Sequence, residues 1–330
     1  RTTEERHKKT VQHLWKELEK NDDIYLSKYS GWYSVSDEAY YNEDEIIDKN
    51  RKKVAKNSGS LVEWIEEESY FFRLSKWQDK LLDYYEKNSD FISPKSRKNE
   101  VVSFVKGGLK DLSVSRTSFS WGIKVPKDDN HIMYVWLDAL TNYISACNYA
   151  GDDNDKMLSN FWPADVHMVG KDIIRFHAVY WPAFLMAADL PVPKKIFAHG
   201  WWTNEGQKIS KSLGNVINPF DLVETYGVDQ VRYFLMREVP FGNDGDFSTS
   251  QLINRANSDL SNNLGNLFQR VVSMVVKNCE GKIPFKPKIF LEKDLILINS
   301  VKDSLSHFRN LIDNQKFDTF LKDIWIIISD

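Results

Sequence analysis

Apolar residues recur at helical spacing near the start of the chain, three or four positions apart on one face. The residues of this face are Val11, Leu14, Trp15 and Leu18. Thr2 and Glu5 have the spacing of a capping box, which predicts that the helix begins beside them. The pattern therefore predicts a helix with one buried face that extends to about residue 21.

Residues 22–115 follow a different pattern, in which short aromatic and β-branched runs alternate with acidic turns. Such runs predict β-strands, and they lie at 23–26, 31–36 and 60–64, while 68–74 fits a strand or the start of a helix. Apolar positions at helical spacing follow at Trp77, Leu81, Leu82 and Tyr85. We predict an α+β insertion within a larger fold.

From residue 118 the pattern becomes that of a doubly wound α/β domain, in which strands and helices alternate. A helix is predicted at 134–147, a strand at 165–170, a helix at 172–189 and a strand at 195–199. The last three fall within about 35 residues, as in a right-handed βαβ unit. A turn into another helix follows at 218–223.

Beyond about residue 220 almost every apolar pattern is helical. Helices are predicted at 228–238 and 251–277, with one or two more from residue 290 onward. The longest has an apolar face at helical spacing, formed by Leu260, Leu264, Leu267, Phe268, Val271 and Val275. The predicted divisions are therefore 1–21, 22–115, 116–225 and 226–330, the last of them a helical bundle.

Composition limits the function classes. The 330 residues are 42% hydrophobic and carry a net charge of −3, which indicates a folded protein without a global basic field. A nucleic-acid partner would need a local positive patch. Cys147 and Cys279 form no CxxC pair, which favours a reducing compartment, and no apolar run is long enough for a membrane span. Because no initiator Met or signal peptide opens the sequence, we expect part of a longer chain.

The clearest chemical signal is the lysine loop, residues 208–212, with the sequence Lys-Ile-Ser-Lys-Ser. On composition alone it fits an exposed turn. Its place after the strand at 195–199 changes that interpretation, because open α/β sheets bind ligands at the carboxyl ends of their strands. Two ammonium groups, Lys208 and Lys211, with the hydroxyl of Ser210, suit a polyphosphate whose charge rises in the transition state.

A second candidate site follows the strand at 165–170. Gly170 allows a close backbone approach, and Asp172 fits either a helix cap or a carboxylate that faces a ligand. Ile173 and His177 share a helical face, where a histidine serves the core or a pocket. A stripe on the preceding helix, explicable as core alone, would also suit a thioether side chain. Its members are Trp136, Ala139, Leu140 and Tyr143.

The lysine loop resembles the second signature of class I aminoacyl-tRNA synthetases, Lys-Met-Ser-Lys-Ser, with Ile209 in place of Met. Around it, Tyr-Val-Trp-Leu-Asp-Ala at 134–139, Gly-Lys-Asp-Ile at 170–173 with Phe-His at 176–177, and Phe-Ala-His-Gly-Trp at 197–201 resemble the methionyl-tRNA synthetase family in order and spacing. The resemblance covers nearly the whole chain. It implies a doubly wound, Rossmann-like catalytic domain, incomplete at its N-terminus, with an α+β connective insertion and a C-terminal helical anticodon-binding bundle.

This resemblance also implies residue roles. Lys208 and Lys211 would be catalytic, and Gly170, Asp172, Lys208, Ser210 and Lys211 would bind ATP. The methionine pocket would comprise Trp136, Ala139, Leu140, Tyr143, Asp172, Ile173 and His177. Asn266 and Arg270, on one helical face and otherwise explicable as solvated surface, would contact the tRNA anticodon.

The reaction that the resemblance implies is ATP-dependent activation of L-methionine, with Mg²⁺, followed by transfer to tRNA(Met). A cytoplasmic monomer without a membrane partner is expected. The His-x-Gly-His signature of the family is absent from the sequence, and Ser34-Val35-Ser36-Asp37 stands where some relatives have a zinc-binding Cys-x-x-Cys, so no structural zinc is expected. The end at Asp330 is expected to omit late bundle residues.

Two alternatives remain open from sequence. A non-catalytic fragment that binds tRNA or another partner would explain the missing first signature. A class I synthetase for leucine, isoleucine or valine would share the lysine loop.

Overall fold

The computed structural model describes residues 1–37, 39–41, 43–49, 52–151, 156–209 and 214–329. It divides into two units, Arg1–Ala198 and His199–Asp330, which are described separately below. The predicted divisions at residues 21, 115 and 225 stay predictions. Among the described residues, no helix combines the length and apolar character that a bilayer crossing requires.

The first unit mixes helices and strands. Its α-helices are α1 (Glu5–Lys20), α2 (Gln78–Lys87), α3 (Lys95–Lys106), α4 (Val135–Ala146), α5 (Met157–Phe161) and α6 (Trp181–Ala187). Its strands are β1 (Ile24–Ser34), β2 (Ala39–Tyr41), β3 (Ile46–Lys49), β4 (Lys52–Ala55), β5 (Glu63–Phe72), β6 (Ile92–Ser93), β7 (Leu112–Ser113), β8 (Ser115–Arg116), β9 (Lys124–Val125), β10 (Asp128–Met133), β11 (His167–Gly170) and β12 (Ile196–His199), the last of which ends one residue into the second unit.

Helix α1 confirms the apolar face predicted near the start of the chain. Val11, Leu14, Trp15 and Leu18 are all fully buried in the core of the first unit. The predicted capping box is wrong. The helix begins at Glu5 with Glu4 as N-cap, and the Glu4 carboxylate instead contacts the N-terminal ammonium at 2.8 Å and Arg6 at 2.7 Å.

The insertion contains a four-stranded sheet in the order β2-β1-β5-β7. Strands β1 and β5 pair antiparallel along nearly their whole length, from Ile24 opposite Phe72 to Tyr33 opposite Glu63. The separate strands predicted at 23–26 and 31–36 are therefore one strand. The polar residues between them continue the ladder, because strand pairing uses the backbone rather than the side chain.

The α/β part of the unit confirms the predicted strand, helix and strand. Strands β11, β12 and β6 form one sheet in that order, with β12 parallel to β6. Between β11 and β12 the chain forms a 3₁₀ turn at Lys171–Ile173, a π-helical segment at Phe176–Tyr180 and then α6. Such π-helical segments occur frequently at functional sites.

The second unit has a small sheet and a set of helices. Its strands, β13 (Trp202–Asn204), β14 (Gln207–Lys208) and β15 (Gly245–Phe247), form a sheet in the order β14-β13-β15. Its helices are α7 (Pro219–Tyr226), α8 (Val228–Arg237), α9 (Thr249–Arg255), α10 (Asn266–Asn278), α11 (Glu292–Asp313) and α12 (Phe317–Ser329), with a π-helical segment at Ala256–Gly265 that joins α9 to α10.

The helical character predicted beyond residue 220 is confirmed. The buried core of the second unit is small. Val231, Phe234, Phe247 and Leu252 form a buried cluster. Helix α8 contacts α12 through the rings of Tyr233 and Trp325, whose centroids are 5.8 Å apart. The apolar face predicted for the long helix does not lie in this core, since Leu264 is 42% exposed and Phe268 is 69% exposed.

Candidate functional site

Helix α4 presents the predicted stripe. Tyr134 precedes it in an extended conformation, and the helix begins at Val135. Leu140 is buried, whereas Trp136, Ala139 and Tyr143 are half-buried and therefore line the boundary of the core. The stripe is thus partly buried and partly accessible, as the lining of a ligand pocket must be.

The chain after β11 supplies the facing side chains. The cap position of the 3₁₀ turn is Gly170, and Asp172 lies within the first turn rather than at the cap. Asp172 is exposed just beyond the carboxyl end of β11, while Ile173 is half-buried. This end of a strand is the usual ligand edge of an α/β sheet.

Tyr143 and His177 form a hydrogen-bonded dyad. The Ile173 carbonyl can only accept, so Nδ1 of His177 carries a proton and donates it across 3.0 Å. Nε2 of His177 then accepts from the Tyr143 hydroxyl at 2.8 Å. Burial lowers the pKa of His177 and raises the pKa of Tyr143. The dyad is therefore neutral at physiological pH.

Trp136 is held by a ring stack that the sequence did not reveal. Its indole lies parallel to the Phe176 ring, with 3.7 Å between centroids and 8° between planes. Trp136 also meets the edge of His177, with centroids 6.3 Å apart. We call Trp136, Tyr143, Phe176 and His177 the aromatic cluster. The sequence could have indicated Phe176 by its position three residues after Ile173, which places both on one helical face.

Phe176 also borders an open space. A cavity of about 390 Å³ is lined by this ring together with Phe104, Arg116, Tyr134 and Tyr180. The cation–π contact of Arg116 with Tyr134, at 4.6 Å, forms part of its wall. One face of the aromatic cluster therefore adjoins a volume large enough for a small organic group.

His167 lies behind the aromatic cluster and was also missed. It is 4% exposed, its ring centroid is 4.1 Å from that of Tyr143, and neither ring nitrogen has a hydrogen-bond partner among the described residues. Burial, with a smaller contribution from His177, lowers the pKa of His167 to about 4. The sequence could have indicated that His167 is buried, because side chains alternate along a strand and His167 and Val169 occupy the buried positions of β11.

The second unit contains the start of the lysine loop. Lys208 ends β14, is exposed, and pairs with Thr203 of the antiparallel β13. The Asn215 amide donates to the Lys208 carbonyl at 3.0 Å, and the Asn204 amide donates to the Asn215 carbonyl at 3.0 Å. Lys208, where the loop begins, is thus tied to Asn215, three residues beyond the last residue of the loop. Ser210 and Lys211 lie outside the described residues.

Asp246 stabilises the hairpin that precedes the lysine loop. Its carboxylate accepts from the Gly206 amide at 2.8 Å and from the Thr203 hydroxyl at 2.5 Å. Hydrogen bonds from Thr203 and Gly206 lower the pKa of Asp246. Gly206 has φ of +77°, which favours glycine in this turn.

The predicted anticodon residues open helix α10. Asn266 and Arg270 are four positions apart on one face, and both are exposed. Their role as anticodon contacts stays a prediction.

Asp37 organises the segment where relatives were expected to hold zinc. Its carboxylate accepts from the hydroxyls of Tyr41 and Ser60, each at 2.7 Å, and from Ser58 at 2.5 Å. Burial raises its pKa, but these hydrogen bonds together outweigh burial, and the pKa of Asp37 is lowered. Across the described part of the chain, no three His, Cys, Asp or Glu side chains are grouped as metal ligands would be.

Comparisons with known proteins agree on one family. The family model described as tRNA synthetases class I (M) matches residues 1–272. The methionine–tRNA ligase of Brucella suis biovar 1 is 56% identical over 330 residues, all of this chain and 64% of that protein. The methionine–tRNA ligase of Rickettsia bellii is 64% identical over 284 residues, 86% of this chain and 55% of that protein.

A solved structure is similar throughout. The crystal structure of Mycobacterium tuberculosis methionyl-tRNA synthetase bound by methionyl-adenylate superposes with a TM-score of 0.94 at 50% identity, and covers all of this chain and 64% of the mycobacterial one. The apo form of that protein gives a TM-score of 0.92 at 48% identity. The chain thus spans about 64% of the length of the Brucella and mycobacterial proteins.

Proposed function

The chain belongs to the class I tRNA synthetases, and from this membership we propose that it forms the larger part of a methionine–tRNA ligase. It would activate L-methionine with ATP to methionyl-adenylate and transfer the methionyl group to tRNA(Met), as a monomer in the cytoplasm. The observation that carries the proposal is the neutral Tyr143–His177 dyad within an aromatic cluster, on the half-buried face of α4.

The chemistry of this cluster suits a thioether side chain. Sulfur makes favourable contacts with aromatic rings, and the cluster offers the rings of Trp136, Tyr143 and Phe176. The neutral dyad adds polarity without charge, so a charged side chain would lose its hydration without finding a counter-ion. Ala139, Leu140 and Ile173 complete the apolar lining that we assign to this site. A branched aliphatic substrate would lose the sulfur–aromatic contacts.

Activation needs positioning and charge stabilisation rather than a covalent enzyme intermediate. An oxygen of the methionine carboxylate bonds to the α-phosphorus of ATP, the bond from that phosphorus to the bridging oxygen breaks, and pyrophosphate leaves. Asp172, exposed beyond β11, would bind the substrate amino group and lie near the adenylate ribose, where Gly170 allows a close approach.

Lys208, Ser210 and Lys211 would hold the phosphates in this step. The negative charge on the leaving pyrophosphate rises as the bond breaks, and ammonium groups placed there stabilise the transition state more than the ground state. Mg²⁺ bound to the ATP phosphates would supply further neutralisation of their charge. The exposed Asn266 and Arg270 would contact unpaired anticodon bases.

The test is methionine-dependent exchange of pyrophosphate into ATP. It is measured on this chain and on a completed chain, in which the remaining segments of the Brucella suis relative are joined to these 330 residues. We expect exchange in the completed chain that requires L-methionine and is not supported by leucine, isoleucine or valine. A completed chain that binds tRNA but exchanges with none of these amino acids would contradict the proposal and favour a binding module.

A further inference from the structure

We infer that His7, more than 100 residues before the aromatic cluster in sequence, is a positioning residue for the methionine site, because it fixes the helix that presents Trp136 and Tyr143. The inference rests on the proposed function, since it assigns His7 to the binding of the same substrate. It concerns α1 and α4, both of which belong to the first unit.

His7 bridges the two helices with both ring nitrogens. Its side chain is 1% exposed. Nε2 lies 2.7 Å from Oδ1 of Asp138, and because a carboxylate only accepts, Nε2 donates. Nδ1 lies 2.9 Å from Oγ of Ser145. A buried imidazole held at both nitrogens by one neighbouring helix has its position and orientation fixed.

The two partners lie on the back of α4. Asp138 follows Trp136 by two positions and Ser145 follows Tyr143 by two, and each step of two turns about 200° around a helix. Asp138 and Ser145 are seven positions apart, two turns along one face. His7 therefore binds the helix at two levels, each opposite a residue of the aromatic cluster.

The hydrogen bonds from His7 fix the rotation of α4 more sharply than apolar packing does. Burial of apolar surface is non-directional, so the Val11 and Leu14 side chains of α1 restrict the rotation of a neighbouring helix less sharply than an oriented hydrogen bond does. A hydrogen bond to a carboxylate is short and oriented. If α4 turned or slid by a fraction of a turn, Trp136 would lose its 3.7 Å stack on Phe176, and Tyr143 its 2.8 Å bond to His177.

Thr10 gives a matched control on the same helix. It is 3% exposed, and its hydroxyl donates to two carbonyls, that of Arg6 in its own helix at 2.8 Å and that of Tyr149, beyond the end of α4, at 2.9 Å. Thr10→Val removes a buried hydrogen bond of α1 without touching Asp138 or Ser145. Both Thr10→Val and His7→Leu should lower the Tm, and only His7→Leu should change methionine recognition.

The experiment measures KM for L-methionine, KM for ATP and kcat of pyrophosphate exchange in the completed chain, with Tm as the measure of folding. We expect His7→Leu to raise KM for methionine about tenfold, from the loss of a charged hydrogen bond, while KM for ATP changes less than about twofold. His7→Gln places an amide donor near the position of Nε2 and should recover most of the methionine affinity. Thr10→Val should keep KM for methionine within about twofold.

An unchanged KM for methionine in folded His7→Leu, or equal rises in His7→Leu and Thr10→Val, would overturn the inference. If His7→Leu does not fold, His7→Gln decides: a rise in KM for both substrates together would show a structural role alone. The proposed function fails in a different way, when the completed chain without substitutions shows no methionine-dependent exchange. That result would remove the inference together with its premise.

Discussion

The aromatic cluster and the base of the lysine loop differ in how far the fold fixes their side chains. In the cluster, His177 is buried, Trp136 stacks on Phe176 at 3.7 Å and Tyr143 is bonded at 2.8 Å. At the loop, the backbone of Lys208 is held by a strand and by Asn215, while its side chain is exposed. One region orients side chains, and the other orients backbone and leaves a long cationic side chain in solvent.

That difference matches the two chemical tasks that we propose for these regions. Selection of a side chain by shape and polarity needs walls that do not adjust to the wrong substrate, so the groups are packed and neutral. Stabilisation of phosphate charge needs ammonium groups that approach the phosphates as charge develops, and a lysine carries its charge on a flexible stem. We therefore expect substitutions in the cluster to change methionine affinity and substitutions in the loop to change the rate.

The strongest test of this separation is Lys211→Ala. We expect the rate of adenylate formation in the completed chain to fall by about 10²–10³-fold, because a charge that stabilises the transition state is lost, while methionine affinity barely changes. Rapid-quench measurement of adenylate formation gives the rate, and equilibrium binding gives the affinity. Lys282→Ala, which removes an exposed charge elsewhere in the second unit, is the control. An equal loss in methionine binding would remove Lys211 from its proposed role.

The converse change is Trp136→Ala. Loss of a large ring that stacks on Phe176 should weaken methionine binding by about 100-fold and ATP binding by less than about threefold. Calorimetric titration of each substrate separates the two effects. Trp121→Ala removes an indole that is 79% exposed and should leave both affinities unchanged. If methionine affinity survives Trp136→Ala, this ring does not belong to the pocket.

A third test concerns the cost of burying neutral histidine behind the cluster. The pKa of His167 is about 4 in the fold, below its ordinary value of 6.5. As pH falls from 6.5 to 4, the unfolded chain binds a proton that the native fold excludes, so the free energy of unfolding should fall by about 3 kcal/mol. As pH rises above 6.5 the effect fades, because the unfolded histidine loses its proton as well.

His167→Phe should flatten this pH dependence in part. The pKa of His177 is lowered by the same burial, so that residue keeps a slope of the same sign. Urea unfolding at a series of pH values measures the slope. The control is His307→Asn, whose histidine is 55% exposed and pairs with Asp323 at 2.8 Å. Identical slopes with and without His167 would show that its ring is accessible to protons in the fold.

The sequence predicted the helices and strands better than the contacts between them. Helical periodicity located α1 and α4, and the β-branched run at 195–199 located β12, because period and composition follow directly from which face is buried. The pairing of β12 with the two-residue strand β6 was beyond reach, since Ile92 and Ser93 carry no periodic signal. The capping box failed because the helix begins at Glu5 itself, and the Glu5 carboxylate pairs with Lys8 at 2.6 Å.

For the candidate site, too, the sequence indicated residues but not the contacts between them. The family resemblance assigned Trp136, Tyr143, Ile173 and His177 to one pocket, and the structure connects them by rings and hydrogen bonds. It did not show Phe176 or His167, because a helical or strand period indicates that a side chain faces inward but not which ring it meets. Their roles, like those of Ala139, Leu140, Asp172 and the lysine loop, stay predictions until substitutions test them.

The smallest expected effect belongs to Tyr143→Phe, which keeps the ring and removes the hydroxyl that donates to His177. Nε2 of His177 would then be buried without its donor, so we expect methionine affinity to fall about tenfold and the free energy of unfolding to fall by about 1 kcal/mol. Tyr85→Phe is the matched control, because that buried hydroxyl donates to the Ala178 carbonyl at 2.5 Å, one residue after His177. It should cost similar stability and leave methionine affinity intact. Should Tyr143→Phe bind methionine as tightly as the unaltered chain, the dyad would serve only the fold, and the cluster would select its substrate by shape alone.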